Sequence, residues 1–230
     1  MNGAANWSNR FLPGVYQGAH MKLPLDFKPQ QVIPNLANTR LSTTAQRRQL
    51  DLIQQMNAKH AAQRAGESLL DARIASLELA FRMQTAAPEA FNWQSETKAV
   101  QKSYHGPDDK MSDFGMNCLL ARRMVERGVR VVQVYYSEAH LTMGPPWDTH
   151  MNNDNRHRQL CGKTDRPIAG LLGDMKRLGL LEETLVMWSG EFGRTPVSQN
   201  NNGRDHNHWG FSVWLAGGGI KGGMTYGATD

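Results

Sequence analysis

The period of the apolar pattern changes at Gly128, where strand-like runs first appear, and that change points to an α/β arrangement. Before it the apolar residues recur at helical spacing. Thr43 with Gln46 three residues on reads as a capping box, opening an amphipathic stretch through Leu50, Ile53 and Asn57. Glu67–Gln84 repeats Leu70, Ile74, Leu77 and Phe81, and stops before Pro88. Ser95–Tyr104 gives a weaker helical pattern. Ser112–Arg127 carries Leu119, Leu120, Met124 and Val125, and Gly128 is placed to end it. After Gly128 the pattern is that of strands. Val129–Tyr136 is β-branched and aromatic, and Thr184–Ser189 and Phe211–Ala216 are similar runs. Between the first two, Asp165 is placed to cap a helix with Pro167 in its first turn and its end near Gly179. Strand, helix, strand in this order predicts a mostly parallel sheet containing Val131–Tyr136, Thr184–Trp188 and Phe211–Leu215, covered by helices on both faces.

The organisation that follows has three parts. Residues 1–40 form an irregular segment, with Pro13, Pro24, Pro29 and Pro34 spaced to interrupt any helix. Its scattered aromatic residues suit a segment draped over a domain. Residues 41–128 are a helical region of that domain, and residues 129–230 are its α/β part.

A chain of 230 residues is long enough to bury a full core. No apolar run approaches the ~18–20 residues of a membrane span. Met1–Trp7 lacks the basic and apolar regions of a signal peptide, so as written the chain is expected in the cytoplasm. Two cysteines, Cys118 and Cys161, make no disulfide framework. The basic excess is confined to the helical part. Residues 1–136 hold 17 Lys/Arg against 11 Asp/Glu, and residues 137–230 hold 9 against 10. No basic run interleaved with aromatics accompanies it, so nucleic-acid binding is not expected and solvated helix faces account for the charge.

Chemistry gathers behind the three strand-like runs. Five of the eight histidines lie between His140 and His208. Asp148 and His150 stand two apart in a Pro-rich loop, so an extended backbone points both to one side. Glu191 ends the apolar run Leu185–Trp188, flanked by Gly190 and Gly193. Asp205, His206 and His208 follow Gly203 and Arg204 closely. Carboxylates and imidazoles at strand ends are the donor set of a divalent-metal site, with zinc, calcium, manganese and magnesium all open. Each group also has a bland reading. Asp148 and His150 can bond to nearby backbone, Glu191 can pair with Arg194, and the later histidines can face water. Arg194 and Arg204 suit phosphate or sulfate oxygens, or neutralise Glu191 and Asp205. No GxSxG motif or Walker-type loop announces a nucleophile, so catalytic residues remain unassigned.

Several long motifs carry a family resemblance. Cys118–Arg130, Trp147-Asp148-Thr149-His150, Gly190-Glu191-Phe192-Gly193-Arg194-Thr195-Pro196, Gly203-Arg204-Asp205-His206 and Trp214-Leu215-Ala216-Gly217-Gly218-Gly219 resemble the bacterial domain-of-unknown-function family 1501, which is related to sulfatases and alkaline phosphatases. The resemblance implies an alkaline-phosphatase-like α/β/α sandwich and metal-dependent hydrolysis of phosphate or sulfate esters. It implies metal ligands among Asp148, His150, Glu191, Asp205, His206 and His208, with Arg194 and Arg204 toward the substrate. Glu191 followed by Phe192 departs from the Asp-His or Asp-Asn pair of the better-known enzymes. Family members usually begin with an export signal and a longer segment that supplies the first metal-binding acid and the nucleophile. The chain therefore reads as a carboxyl-terminal portion, an incomplete domain with weak or no turnover alone, whose full-length relatives are exported. The competing readings are a non-catalytic metal-binding or cell-surface binding protein of the same fold, and an inactive truncated product.

Overall fold

The computed structural model describes residues 18, 20–21, 23–28, 32, 40–62, 77–78, 81, 84, 86–136, 147–190 and 192–228. Two compact units divide the chain, Met1–Asn92 and Trp93–Asp230. Both α-helices and β-strands are present, so the fold is mixed α/β.

In the first unit, helix α1 spans Thr43–Ala62. Ser42 caps it, its Oγ accepting from the Ala45 amide at 3.2 Å. The capping box expected at Thr43 is replaced by a single cap one residue earlier, because Thr43 already has helical backbone and Ala45 has no polar side chain to return the bond. Arg47 reaches Glu78 at 3.0 Å and lies over the Phe81 ring at 4.9 Å. Most of Glu67–Gln84 and of residues 1–40 lies outside the described residues.

The second unit is built on three helices: α2 (Lys98–Ser103), α3 (Asp113–Glu126) and α4 (Asn153–Arg177). Thr97 and Ser112 cap the first two by accepting from the amides of Val100 and Gly115. Gly128, at φ +84°, turns the chain out of α3, as its sequence position predicts. Helix α4 begins well before the expected start, with Asp165 and Pro167 inside it. Its buried residues Leu160, Thr164, Pro167, Gly170 and Asp174 recur at helical spacing, and tertiary packing of that stripe outweighs the missing amide of Pro167. Tyr104, Cys118 and Leu119 form the core, with Trp93, Val100, Phe114 and Leu171 packed on them.

A buried polar knot ties the helices together. Arg122 meets Asp174 Oδ2 at 2.9 Å, Glu96 Oε1 at 2.9 Å and Glu126 Oε2 at 2.8 Å. The Tyr104 hydroxyl donates to Asp174 at 3.1 Å. Burial, and then the charge of Asp174, push the Tyr104 phenol above its ordinary range. The helices close on one another through glycine. A Cβ at Gly115 would stand 2.2 Å from the Tyr104 carbonyl oxygen, and one at Gly170 would stand 2.2 Å from that of Ser103.

The mostly parallel sheet is corrected by the structure. Strand β1 (Leu185–Ser189) pairs antiparallel with β4 (Val213–Gly217), in register Met187 to Leu215 and Trp188 to Trp214. Between them β2 (Gly193–Arg194) and β3 (His206–Asn207) form a second antiparallel pair. Val131–Tyr136 carries no strand pairing among the described residues, and Val131 is 84% exposed. An apolar β-branched run meets the side-chain requirement of a strand, yet a strand also needs a partner for its backbone. Nor do the runs mark burial on both faces. Leu185 (51%), Met187 (64%), Val213 (44%) and Leu215 (41%) leave one face of the β1–β4 ribbon open.

Candidate metal centre

The short β2–β3 ribbon does the positioning. Its register sets Arg194 directly opposite His206, so both side chains leave the same face. Beneath them runs the loop that carries Asp148 and His150. Gly203 permits the approach: a Cβ there would stand 2.0 Å from the His150 carbonyl oxygen. The Arg204 amide donates to the Thr149 carbonyl at 3.0 Å, and the Asn152 amide donates to Asn202 Oδ1 at 2.7 Å. Thr149 is fully buried and bonds Asn153, which fixes the loop where it enters α4. The loop between β2 and β3 thus acts as a clamp on residues 148–153.

Asp148, His150 and His206 converge. One ligand atom from each lies within 4.8 Å of the others. His150 Nε2 and His206 Nε2 each stand 2.9 Å from the same oxygen, Asp148 Oδ1. Arg194 Nη1 reaches that oxygen at 2.9 Å as well. The two imidazoles lie 4.9 Å apart between ring centres. Burial opposes ionisation of Asp148, but hydrogen bonds from His206 and Arg194 outweigh it and hold its carboxyl below the ordinary range.

A second layer of groups sets the ring orientations. His150 Nδ1 is 2.7 Å from Gln199 Oε1 and 3.8 Å from Asp205 Oδ1. The Gln199 contact fixes the plane of the His150 ring with Nε2 directed at Asp148 Oδ1. Asp205 also accepts from the His206 amide at 2.7 Å. Phe192 packs edge-on against the His206 ring at 5.0 Å.

The expected site residues therefore separate into groups. Asp148, His150 and His206 stand at the centre. Asp205 is beside them, on His150 rather than among the convergent atoms. His208 turns away and stacks on Trp209, with ring centres 4.4 Å apart. Arg194 pairs with Asp148, whereas Arg204 bonds its Nη1 to the Gly203 carbonyl at 2.8 Å. Glu191 lies outside the described residues. Gln199 had no sequence signal, since it sits in a polar Gln-Asn-Asn-Asn turn with nothing to distinguish it from a loop residue. Thr195 brings a hydroxyl next to Arg194 in the chain. That hydroxyl is engaged, accepting from the Asp205 amide and donating to the Val197 carbonyl.

A family model described as "Protein of unknown function (DUF1501)" matches residues 1–230. No curated protein and no solved structure matches.

Proposed function

The chain belongs to the DUF1501 family, and from that membership and the Asp148, His150, His206 cluster we propose a metal-dependent hydrolase domain acting on phosphate or sulfate esters. One observation carries the proposal: two imidazole Nε2 atoms share a single carboxylate oxygen at 2.9 Å. Two nitrogens and one oxygen form a donor set that suits zinc better than calcium or magnesium, which prefer all-oxygen shells; manganese, also inclined to oxygen, is the comparison ion. The order of the donors is similar to what the family resemblance implies, an Asp and His pair, an acid ending an apolar strand and a later His; the acid, Glu191, lies outside the described residues. The alkaline-phosphatase-like sandwich enters as part of this proposal.

Asp148, His150 and His206 would hold the ion, which when bound supplies Lewis-acid polarisation of an ester oxygen. The chain's own groups do the rest. Asp205 and Gln199 orient the His150 ring, as outer partners of metal-binding histidines do. Arg194 would shift from Asp148 to the oxyanion as the ion takes up the carboxylate charge. Its guanidinium suits the paired oxygens of phosphate or sulfate. Thr195 is engaged and no activated hydroxyl faces the cluster among the described residues, so turnover by this chain alone is expected to be slow.

The test is oxyanion capture. Titration of inorganic phosphate and sulfate should show saturable binding in the zinc- or manganese-loaded protein and little in the chelator-stripped one. Arg194→Ala should weaken the loaded form about tenfold, the factor expected for a charge-assisted contact. Equal binding with and without metal, or none in either, would overturn the hydrolase reading. Metal uptake without oxyanion capture would favour a metal-binding protein of the same family.

A further inference from the structure

Beside the Asp148, His150, His206 cluster, and lined by none of its three residues, a cleft of about 350 Å³ opens between the β1–β4 ribbon and helix α4. One wall is indole. Trp188 and Trp214 are directly opposed across the two strands and share the helix-facing side of the ribbon. Trp147 closes the end, its ring 6.4 Å from that of Trp188 and turned by 80°. The facing wall comes from α4 and includes Ile168 and Leu172. A single ionisable carboxylate, Asp165, stands in this apolar lining. It is exposed, and its side chain makes no hydrogen bond or ion pair with another described residue. A helix start at Asp165 would give this carboxylate a structural task as a cap; in mid-helix, facing an aromatic cleft, it has none.

The lining chemistry narrows the ligand. One carboxylate gives too few oxygens for a calcium or magnesium ion. A primary ammonium, strongly hydrated, would lose water to walls that return few hydrogen bonds. A quaternary ammonium spreads its charge over methyl groups, needs no hydrogen bonds and is drawn to indole faces. Two indoles on one wall, a third set nearly perpendicular and a carboxylate line one cleft, the group types that recognise such a cation. The volume lies within the range of small-molecule sites. We propose that Trp147, Trp188, Trp214 and Asp165 form a binding site for a quaternary ammonium group of the choline class.

Cys161 offers a direct reporter. It lines the same cleft and is exposed, whereas Cys118 is buried, and burial pushes its thiol up to about 12. Choline is titrated into the full chain, in chelator so that the metal centre is empty of ions. Two readouts are followed: quenching of tryptophan fluorescence, and the rate at which a maleimide labels Cys161. Choline should quench saturably and slow the labelling, while its neutral carbon isostere should do neither at the same concentration. Asp165→Asn and Trp188→Ala should each weaken choline about tenfold, the loss expected for a charge partner or a desolvated cation–π contact. Both residues are exposed, so the variants should fold, with circular dichroism as the check. Equal effects of choline and the isostere would reduce the cleft to an apolar groove and overturn the proposal. So would choline quenching that survives Asp165→Asn unchanged, or an absence of quenching and protection altogether.

Discussion

Exchanging Arg122 for methionine should destabilise the Trp93–Asp230 unit by about 3–5 kcal/mol, read as a lower midpoint of urea unfolding. Arg122 is only 2% exposed, and its guanidinium is the shared partner of Glu96, Glu126 and Asp174. Asp174 is itself buried, at 6%. Without Arg122 its carboxylate keeps the Tyr104 hydroxyl and Arg177, but the centre of its charge compensation is gone. Removing one member of a buried pair leaves the other uncompensated, and this drives the loss more than the missing attraction does. The paired variant Arg122→Met with Asp174→Leu should therefore recover part of the loss. A change below about 1 kcal/mol in the single variant would mean that the knot behaves like an exposed ion pair.

The second large effect is a reversal of sign within one helix. Alanine favours a helix interior over glycine by about 1 kcal/mol. A methyl group added at Gly173 would meet nothing within 4 Å, so Gly173→Ala should stabilise by roughly that amount. Three residues earlier, the methyl of Gly170→Ala would stand 2.2 Å from the Ser103 carbonyl oxygen and 2.8 Å from its carbon. These are backbone atoms at the end of α2, which cannot rotate aside as a side chain would. The helices must part, and overpacking of this kind costs about 1–3 kcal/mol beyond the propensity gain. Thermal unfolding of the two variants should move in opposite directions. A stabilised Gly170→Ala would show that α2 and α4 are not in contact at this point.

What is legible in the sequence follows from which forces are local. The helix beginning near Ser112 and the turn at Gly128 depend on neighbouring residues, and both are found where the sequence places them. The sequence pattern starts helix α4 too late because Asp165 followed by Pro167 satisfies every local rule for a helix start. The structure continues through them because the stripe from Leu160 to Asp174 packs on other helices, which no local rule records. Strand identity at Leu185–Ser189 and Val213–Gly217 is legible within one or two residues. Strand direction is not, since an apolar run carries the same pattern in parallel and antiparallel ladders. In the Asp148, His150, His206 cluster, Asp148 and His150 are legible from their spacing, and His206 from the density of acid and imidazole groups around it. That Arg194 meets Asp148, and that Gln199 orients His150, depends on the pairing register and on the Gly203 contact.

The most direct test of the metal centre is a calorimetric titration of zinc and of manganese into chelator-stripped protein. Saturable binding of one of these ions is the expected result. Asp148→Asn and His206→Ala should each weaken it about 100-fold or more, since altering only an outer partner of a metal ligand already costs about 10–100-fold. His208→Ala should leave it unchanged, because that ring stacks on Trp209 outside the cluster. Absence of saturable binding, or binding that survives both Asp148→Asn and His206→Ala, would contradict a metal centre at this cluster.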